Sequence, residues 1–234
     1  MSRAAVLSAP DVRVAAVPSL GAEPEVERES LDGSRRLGIL GGTFDPPHIG
    51  HLWLATLALD ALALDRVLFM PVAQPPHKAE RTLSSATDRL LMTRLAIGEN
   101  PSFEVSGVEM ERPGASYTID SIEELQRSYG EQTTFFLVMA ADSLAQIDTW
   151  KEPDRLLSML EWAVGPRPGT ALPDRRALEA RFGGAADRIH LLDGPSLDVS
   201  SSVIRQRVAS GLAIRYLVPA AVEDLILIRR LYRP

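Results

Sequence analysis

The sequence contains no cysteine among its 234 residues. This absence excludes a disulfide framework, a thiol nucleophile and any metal site that needs thiolate ligands. A chain without cysteine fits the reducing environment of the cytoplasm, so we expect a cytoplasmic location. Long hydrophobic runs are missing too. The longest, such as residues 135–141, are far shorter than the roughly 20 residues that cross a bilayer, and we expect no membrane partner.

Excess positive charge is also absent. The chain has 25 Lys and Arg against 31 Asp and Glu, which gives a net charge of −6. A general nucleic-acid binder needs a basic face that displaces counterions, so we expect no nucleic-acid partner. A few local cations would still be enough to hold a small anionic ligand.

Aromatic residues are missing from the first 35 positions, which are rich in Ala, Pro, Ser and Glu. This composition predicts a poorly ordered N-terminal extension over residues 1–35, followed by one folded domain over residues 36–234. The alternative is a helix around residues 22–31 that docks on the domain.

From Leu37 onward, short apolar runs alternate with amphipathic segments. This alternation predicts an α/β fold, a doubly wound Rossmann-like parallel sheet with helices on both faces. Ligands bind such sheets at the carboxyl ends of the strands, here just after Leu40, Met70, Ala140 and Leu192. We predict strands at 37–40, 66–70, 103–106, 134–140, 162–165 and 188–191, and helices at 49–64, 86–98, 118–128, 173–181, 201–209 and 220–231.

The loop after the first predicted strand reads Gly-Gly-Thr-Phe-Asp-Pro-Pro-His-Ile-Gly-His over residues 41–51. Its glycines allow the backbone to approach a ligand, and the start of the following helix favours an anion. His48 and His51 are three positions apart and can project from the same side of the first turn, with Gly50 leaving space beside them. These features indicate a polyphosphate site, although the spacing of a P-loop is absent. A strand-to-helix turn with packed histidines and a transition-metal pair are the alternatives.

Four further segments place polar groups near predicted strand or helix ends. Each also has a purely structural interpretation: a solvated loop, an N-cap made by Ser116, Thr118 or Asp142, core packing of Trp150, or capping by a run of serines. The segments are Pro75-Pro76-His77-Lys78, Ser116-Tyr117-Thr118, Asp142 with Trp150 eight residues later, and Ser200-Ser201-Ser202 with Arg205.

The segment 41–51 resembles the signature of the HIGH-type nucleotidyltransferase superfamily. Over residues 37–234 the chain is similar to the bacterial nicotinate-nucleotide adenylyltransferases, because the other four segments follow in that family's order. The resemblance implies adenylyl transfer from ATP to nicotinate mononucleotide, which gives deamido-NAD and pyrophosphate in NAD biosynthesis. It also implies that residues 36–234 form the nucleotidyltransferase domain.

The resemblance further implies roles for single residues. Mg²⁺ would accompany ATP, and no residue is assigned as a metal ligand. Ala140 stands where the family has Gly, so the added methyl group is expected to crowd the ribose or to shift the backbone φ. The implied sets are His48, His51 and Arg205 for catalysis; Gly41, Gly42, Thr43, Phe44, Asp142, Ser200, Ser201 and Ser202 for ATP; and His77, Lys78, Tyr117, Thr118 and Trp150 for the mononucleotide.

Three other functions compete with this one. The first is a related nucleotidyltransferase that acts on nicotinamide mononucleotide or phosphopantetheine. The second is a non-catalytic nucleotide-binding regulator, for which Ala140 is the supporting residue. The third, a fragment of an aminoacyl-tRNA synthetase, is disfavoured by the acidic balance and by the absence of a Lys-Met-Ser-Lys type loop. A second copy of the chain is a possible partner.

Overall fold

The computed structural model describes residues 35–74, 83–110, 112 and 114–233. The predictions for residues 1–34 and for His77 and Lys78 therefore lie outside the described residues, and Arg35 already belongs to the first strand. The described part contains a six-stranded, all-parallel sheet in the order β3-β2-β1-β4-β5-β6. The strands are β1 (Arg35–Gly42), β2 (Arg66–Pro71), β3 (Phe103–Val105), β4 (Thr133–Ala140), β5 (Glu161–Gly165) and β6 (Ile189–Leu191).

Helices lie between consecutive strands along the chain, as crossover connections of a parallel sheet require. The six predicted helices are present within the described residues, and two short ones, α4 and α5, were not predicted. The helices are α1 (Ile49–Ala61), α2 (Ala86–Ile97), α3 (Thr118–Tyr129), α4 (Ala141–Ala145), α5 (Pro153–Met159), α6 (Arg175–Phe182), α7 (Ser201–Ala209) and α8 (Ala220–Ile228), with 3-10 turns at Ile147–Thr149 and Gly183–Arg188.

Two predicted helix ends were wrong for the same physical reason. The first helix was expected to reach Leu64 and the last one Leu231, but they end at Ala61 and Ile228. Residues just beyond each end, Ala63 (φ 45°) and Arg230 (φ 52°), adopt left-handed backbone conformations that stop a helix. The apolar residues after these turns still pack inward, which is why their periodicity resembled that of a helix.

Alternate residues of each strand pack against opposite layers of helices, as the predicted fold requires. On β1, Leu37 and Ile39 join a buried cluster with residues of α3, α5 and α6, whereas Leu40 joins a second cluster with α1. A third cluster connects α2, α7 and α8. The doubly wound parallel fold is therefore confirmed.

The strand order reverses between β1 and β4, which lie side by side. Connections on either side of this point leave on opposite faces of the sheet and open a crevice at the carboxyl ends of the two strands. None of the helices in the described part of the chain is long and apolar enough to cross a membrane.

Candidate active site

A cavity of about 500 Å³ occupies the crevice at the carboxyl ends of β1 and β4. One side is apolar and comes from α1, with Trp53, Leu54 and Leu57 in the lining. The other side comes from the start of α3 and the segment after α4, with Tyr117 and Trp150. The cavity therefore receives side chains from both faces of the sheet.

A second cavity of about 190 Å³ shares part of its lining with the first. The residues common to both are Thr43, His48, His51, Arg167 and Ser201. Its lining is largely polar and also contains all three residues of the serine run and Arg205. Imidazoles, hydroxyls and guanidinium groups suit phosphate oxygens, so this small cavity is the candidate phosphate site.

His48 and His51 form a stacked pair at the start of α1. Their ring centroids are 3.7 Å apart, which confirms the prediction that both project from the same side of the first turn. The backbone N–H of His48 donates to Nδ1 of His51 at 3.2 Å. This hydrogen bond makes Nδ1 an acceptor and leaves the Nε2 atom of a neutral His51 to carry the proton.

The His48 ring is almost completely buried. Burial, together with the positive charge of Arg167, lowers the pKa of His48 from 6.5 to about 4. His48 is therefore neutral near pH 7, and an arriving phosphate would meet an imidazole rather than an imidazolium. Its Nδ1 atom has no hydrogen-bond partner among the described residues.

Gly50 leaves room for this ring. A Cβ atom at Gly50 would lie 3.0 Å from Nδ1 and 3.1 Å from Cε1 of His48. The space predicted beside the two histidines is thus taken by the imidazole of His48 itself. The N–H of the preceding Ile49 donates to the carbonyl of Leu217 at 3.1 Å, so this group at the helix start is already paired.

Phe44 packs beneath the imidazole of His51 as a buried side chain. Its backbone is left-handed (φ 48°), and its ring is buried edge-on against His51 at a centroid distance of 5.0 Å. A Cβ atom at Gly42 would come within 3.1 Å of this ring, whereas one at Gly41 would meet only ordinary contacts. The side chain of Phe44 therefore orients His51, and its predicted contact with ATP stays a prediction.

The serine run begins α7 as expected. Ser200 is the N-cap and accepts from the N–H of Val203 at 3.3 Å, which confirms the capping interpretation. Ser201 Oγ donates to the carbonyl of Pro46 at 2.8 Å. Arg205 donates from Nη1 to the carbonyl of Asp45 at 2.6 Å and from Nη2 to Ser202 Oγ at 3.1 Å, so α7 is tied to the loop after β1.

The capping alternatives at the other two helices are not observed. Tyr117, not Ser116 or Thr118, is the N-cap of α3, and Ala140, not Asp142, is the N-cap of α4. Neither cap makes a side-chain hydrogen bond to its helix. Asp142 is the second residue of α4 and lines the main cavity.

Two cations in the site were missed by the sequence reasoning. Arg167 follows β5 and lines both cavities, and its Nε lies 3.4 Å from Oδ2 of Asp142. Lys151 lines the main cavity, contacts the face of the Tyr117 ring at 4.9 Å and pairs with Asp120 at 2.8 Å. The available signal for Arg167 was a cation directly after a strand, at the sheet edge where ligands bind.

Ala140 adopts φ −89° and ψ 160°, an extended conformation open to any residue. The expected shift of its backbone φ is therefore wrong, because this position does not require glycine. The methyl group lies in the lining of the main cavity.

The fold and the site define a class. A doubly wound sheet with a crevice at its switch point, paired imidazoles and a polar phosphate cavity is characteristic of nucleotide-binding proteins. The chain belongs to the cytidylyltransferase-like family, whose model matches residues 39–207, and within it to the nicotinate-nucleotide adenylyltransferases.

Curated relatives support this membership over most of the chain. A probable nicotinate-nucleotide adenylyltransferase of Thermomicrobium roseum is 45% identical over 198 residues, covering 85% of this chain and 92% of the relative. That of Exiguobacterium sibiricum is 46% identical over 193 residues, covering 82% and 95%. The nicotinic acid mononucleotide adenylyltransferase of Plasmodium falciparum complexed with NaAD has the same fold, with a TM-score of 0.70, 18% identity, and coverage of 85% and 97%.

Proposed function

We propose that this protein transfers the adenylyl group of ATP to nicotinate mononucleotide and releases pyrophosphate. The observation that carries the proposal is the cavity between β1 and β4, which takes an apolar wall from one face of the sheet and an aromatic wall from the other. The stacked histidines lie in both cavities, next to the serines of α7. The family to which the chain belongs supports the same reaction.

The two walls suggest where each substrate binds. The wall of Trp53, Leu54 and Leu57 suits the adenine of ATP, because its side chains are apolar and aromatic. Tyr117 and Trp150, on the opposite wall, suit the pyridine ring, and the nearby charge of Lys151 suits an anionic group on that substrate. ATP phosphates would then lie beside His48, His51 and Arg205.

In the reaction, a phosphate oxygen of the mononucleotide attacks the α-phosphorus of ATP. A new P–O bond forms, and the bond from the α-phosphorus to the bridging oxygen breaks with pyrophosphate as the leaving group. The nucleophile is already an anion, so the site needs no general base. Its task is to align two phosphates that repel each other and to stabilise charge on the departing pyrophosphate, which the two imidazoles and Arg205 do by donating hydrogen bonds.

Mg²⁺ remains a proposal. The part of the chain that the structure describes contains no group of three or more His, Asp or Glu side chains arranged to hold a metal. Mg²⁺ is commonly held by substrate phosphates with one or two carboxylates, and Asp142 in the main cavity offers one such oxygen ligand. When bound with ATP, Mg²⁺ would neutralise charge on the phosphate oxygens.

The test is an assay of the purified protein with ATP, Mg²⁺ and either nicotinate or nicotinamide mononucleotide. We expect pyrophosphate and deamido-NAD from the acid substrate, and loss of both products when EDTA is added. Preference for the amide would overturn the proposed substrate. Binding of ATP without product from either mononucleotide would instead show a regulator, for which the unstrained Ala140 gives no support.

The surroundings of the protein follow from the same proposal. ATP and nicotinate mononucleotide are the proposed partners, and neither nucleic acid nor a membrane is needed for the reaction. A cytoplasmic location and a second copy of the chain stay predictions from the sequence.

A further inference from the structure

Asp45 is a buried carboxylate in the middle of the loop that connects β1 to α1. Only 1% of its surface is exposed. The hydroxyl of Tyr232 donates to Oδ1 of Asp45 at 2.6 Å, and the backbone N–H of Ser84 lies 3.4 Å from Oδ2. A residue next to the C-terminus is thus bonded to the loop that leads into the two histidines.

Tyr232 is held in place by its own surroundings. It follows α8, adopts a left-handed backbone (φ 63°) and packs against the cluster that connects α2, α7 and α8. Burial, together with the charge of Asp45, raises the pKa of Tyr232 above its usual value. The hydroxyl therefore stays protonated near neutral pH and donates to Asp45.

Arg89 lies under the same loop. Its guanidinium is buried and donates to the carbonyls of Thr43 at 3.0 Å, Val72 at 2.5 Å and Ala73 at 2.8 Å. Burial lowers the pKa of Arg89 below its usual value, and the negative charge of Asp45 opposes this shift. Arg89 holds the backbone of the loops after β1 and β2, whereas Tyr232 holds one of the buried side chains of the first loop.

This loop lines the candidate phosphate cavity through Thr43, Asp45 and His48. A loop already held in its binding conformation does not have to be ordered when the ligand arrives, which improves affinity without any new contact to the ligand. An unfastened loop would have to be ordered by ATP itself.

We propose that Tyr232 is a positioning residue for ATP, which acts through Asp45 by holding residues 43–48 in the conformation that binds the phosphates. The proposal rests on the proposed function and assigns to the segment after α8 a part in binding one substrate only. Nicotinate mononucleotide, bound at the opposite wall, should not depend on this hydrogen bond.

The central test compares Tyr232→Phe with the wild-type enzyme. The substitution removes the hydroxyl and keeps the buried ring. We expect the KM for ATP to rise about three- to tenfold, which corresponds to one lost hydrogen bond, while kcat and the KM for the mononucleotide stay within about twofold. General damage to the fold would instead lower kcat through the active fraction and leave the ratio of the two KM values unchanged.

Tyr216→Phe is the matched control, because it removes the same hydroxyl from a side chain that is 83% exposed. It should leave both KM values unchanged. Hydrogen exchange without nucleotide adds a second readout: peptides containing residues 43–48 should exchange faster in Tyr232→Phe, with the sheet unaffected.

Asp45→Ala tests the contact from its other end, because it removes the acceptor of the Tyr232 hydroxyl, and it also serves if Tyr232→Phe folds poorly. In the double variant with Tyr232→Phe, the fold increase in the KM for ATP should be smaller than the product of the two single increases, because both changes disturb one contact. Fully multiplicative effects, or an unchanged KM for ATP in Tyr232→Phe, would overturn the inference. Calorimetric titration with ATP makes the same comparison even if wild-type enzyme forms no product, so the two proposals fail separately.

Discussion

The imidazole of His51 is one of the side chains proposed to act directly on the phosphates. It lines both cavities, stacks on His48 and is braced by Phe44. We expect His51→Ala to keep its fold and to lose at least about tenfold in kcat/KM, because removing one donor to transition-state charge commonly costs about 10²–10³ in rate. Steady-state kinetics and a melting curve measure the two effects. His190→Gln is the control. His190 lies on β6 and pairs with Glu161, and this variant should remain active. A near-normal rate in folded His51→Ala would remove His51 from the mechanism.

His48 should make the stability of the protein depend on pH. Its pKa is about 4 in the folded state and 6.5 as an ordinary histidine, so the unfolded chain binds more protons between these values. The contribution of His48 to the free energy of unfolding is therefore complete above pH 6.5 and falls as the pH drops toward 4. It amounts to about 3 kcal/mol. Urea unfolding at a series of pH values measures it. The curve of His48→Asn should be flatter over this window, and parallel curves for the two proteins would contradict the pKa shift.

Arg167 was not predicted from the sequence, and the reason is physical. A single arginine in a turn after a strand is common on protein surfaces, and only the fold shows that this turn borders both cavities. Since its ion pair with Asp142 is long (3.4 Å) and partly exposed, little holds it away from a phosphate. We expect Arg167→Ala to lower kcat/KM for ATP about tenfold or more. Arg176→Ala, on the exposed surface of α6, should have no effect, and equal rates for both variants would refute the role.

Among the secondary-structure elements, long ones with clear periodicity were predictable and short ones were not. All six strands of the described residues were predicted, because each contains a short run rich in apolar residues. The five residues of α4 are too few to show a helical period, but α5 could have been recognised by Pro153 at its first position. The caps at Tyr117 and Ala140 could not be predicted, since their side chains make no capping hydrogen bond and the sheet and cavity fix where these helices begin.

The start of α1 provides a test at the scale of an element. Replacing a helical glycine by alanine commonly stabilises a protein by about 0.5–1 kcal/mol. At Gly50 the new Cβ would press on the His48 ring at 3.0 Å, so the ring must move. We therefore expect Gly50→Ala to lose about tenfold in kcat/KM with little change in melting temperature. At Gly184 a Cβ meets nothing within 4 Å, so Gly184→Ala should keep full activity. Full activity in Gly50→Ala as well would show that the ring position is unimportant.

At the scale of the whole molecule, the sheet order explains how one cavity can serve two nucleotides. The reversal between β1 and β4 brings α1 to one side of the crevice and α3 with α4 to the other. The fold was predictable from the alternation of elements, and so was the edge of the sheet at which the site lies. The side of the crevice that each loop forms was not predictable, because it depends on the pairing of β1 with β4, two strands far apart in the sequence.

A cavity with two such walls should bind the product more tightly than either half. We expect deamido-NAD to raise the melting temperature more than nicotinate mononucleotide or a non-hydrolysable ATP analogue at equal concentration. At about a hundredfold excess over its Kd, a ligand adds about 3 kcal/mol to the free energy of unfolding.

Trp150→Ala separates the two walls, because Trp150 contributes only to the side formed by α3 and α4. This variant should lose most of the extra stabilisation by deamido-NAD and keep the smaller stabilisation by the ATP analogue, since Trp53, Leu54 and Leu57 are unchanged. Trp53→Ala should show the reverse pattern. The Nε1 of Trp53 also donates to the carbonyl of Pro195 at 2.8 Å. Trp53→Phe, which lacks that donor but keeps an aromatic face, separates the hydrogen bond from the wall. If Trp150→Ala weakens the ATP analogue and deamido-NAD equally, the two ring systems do not bind on opposite faces of the sheet.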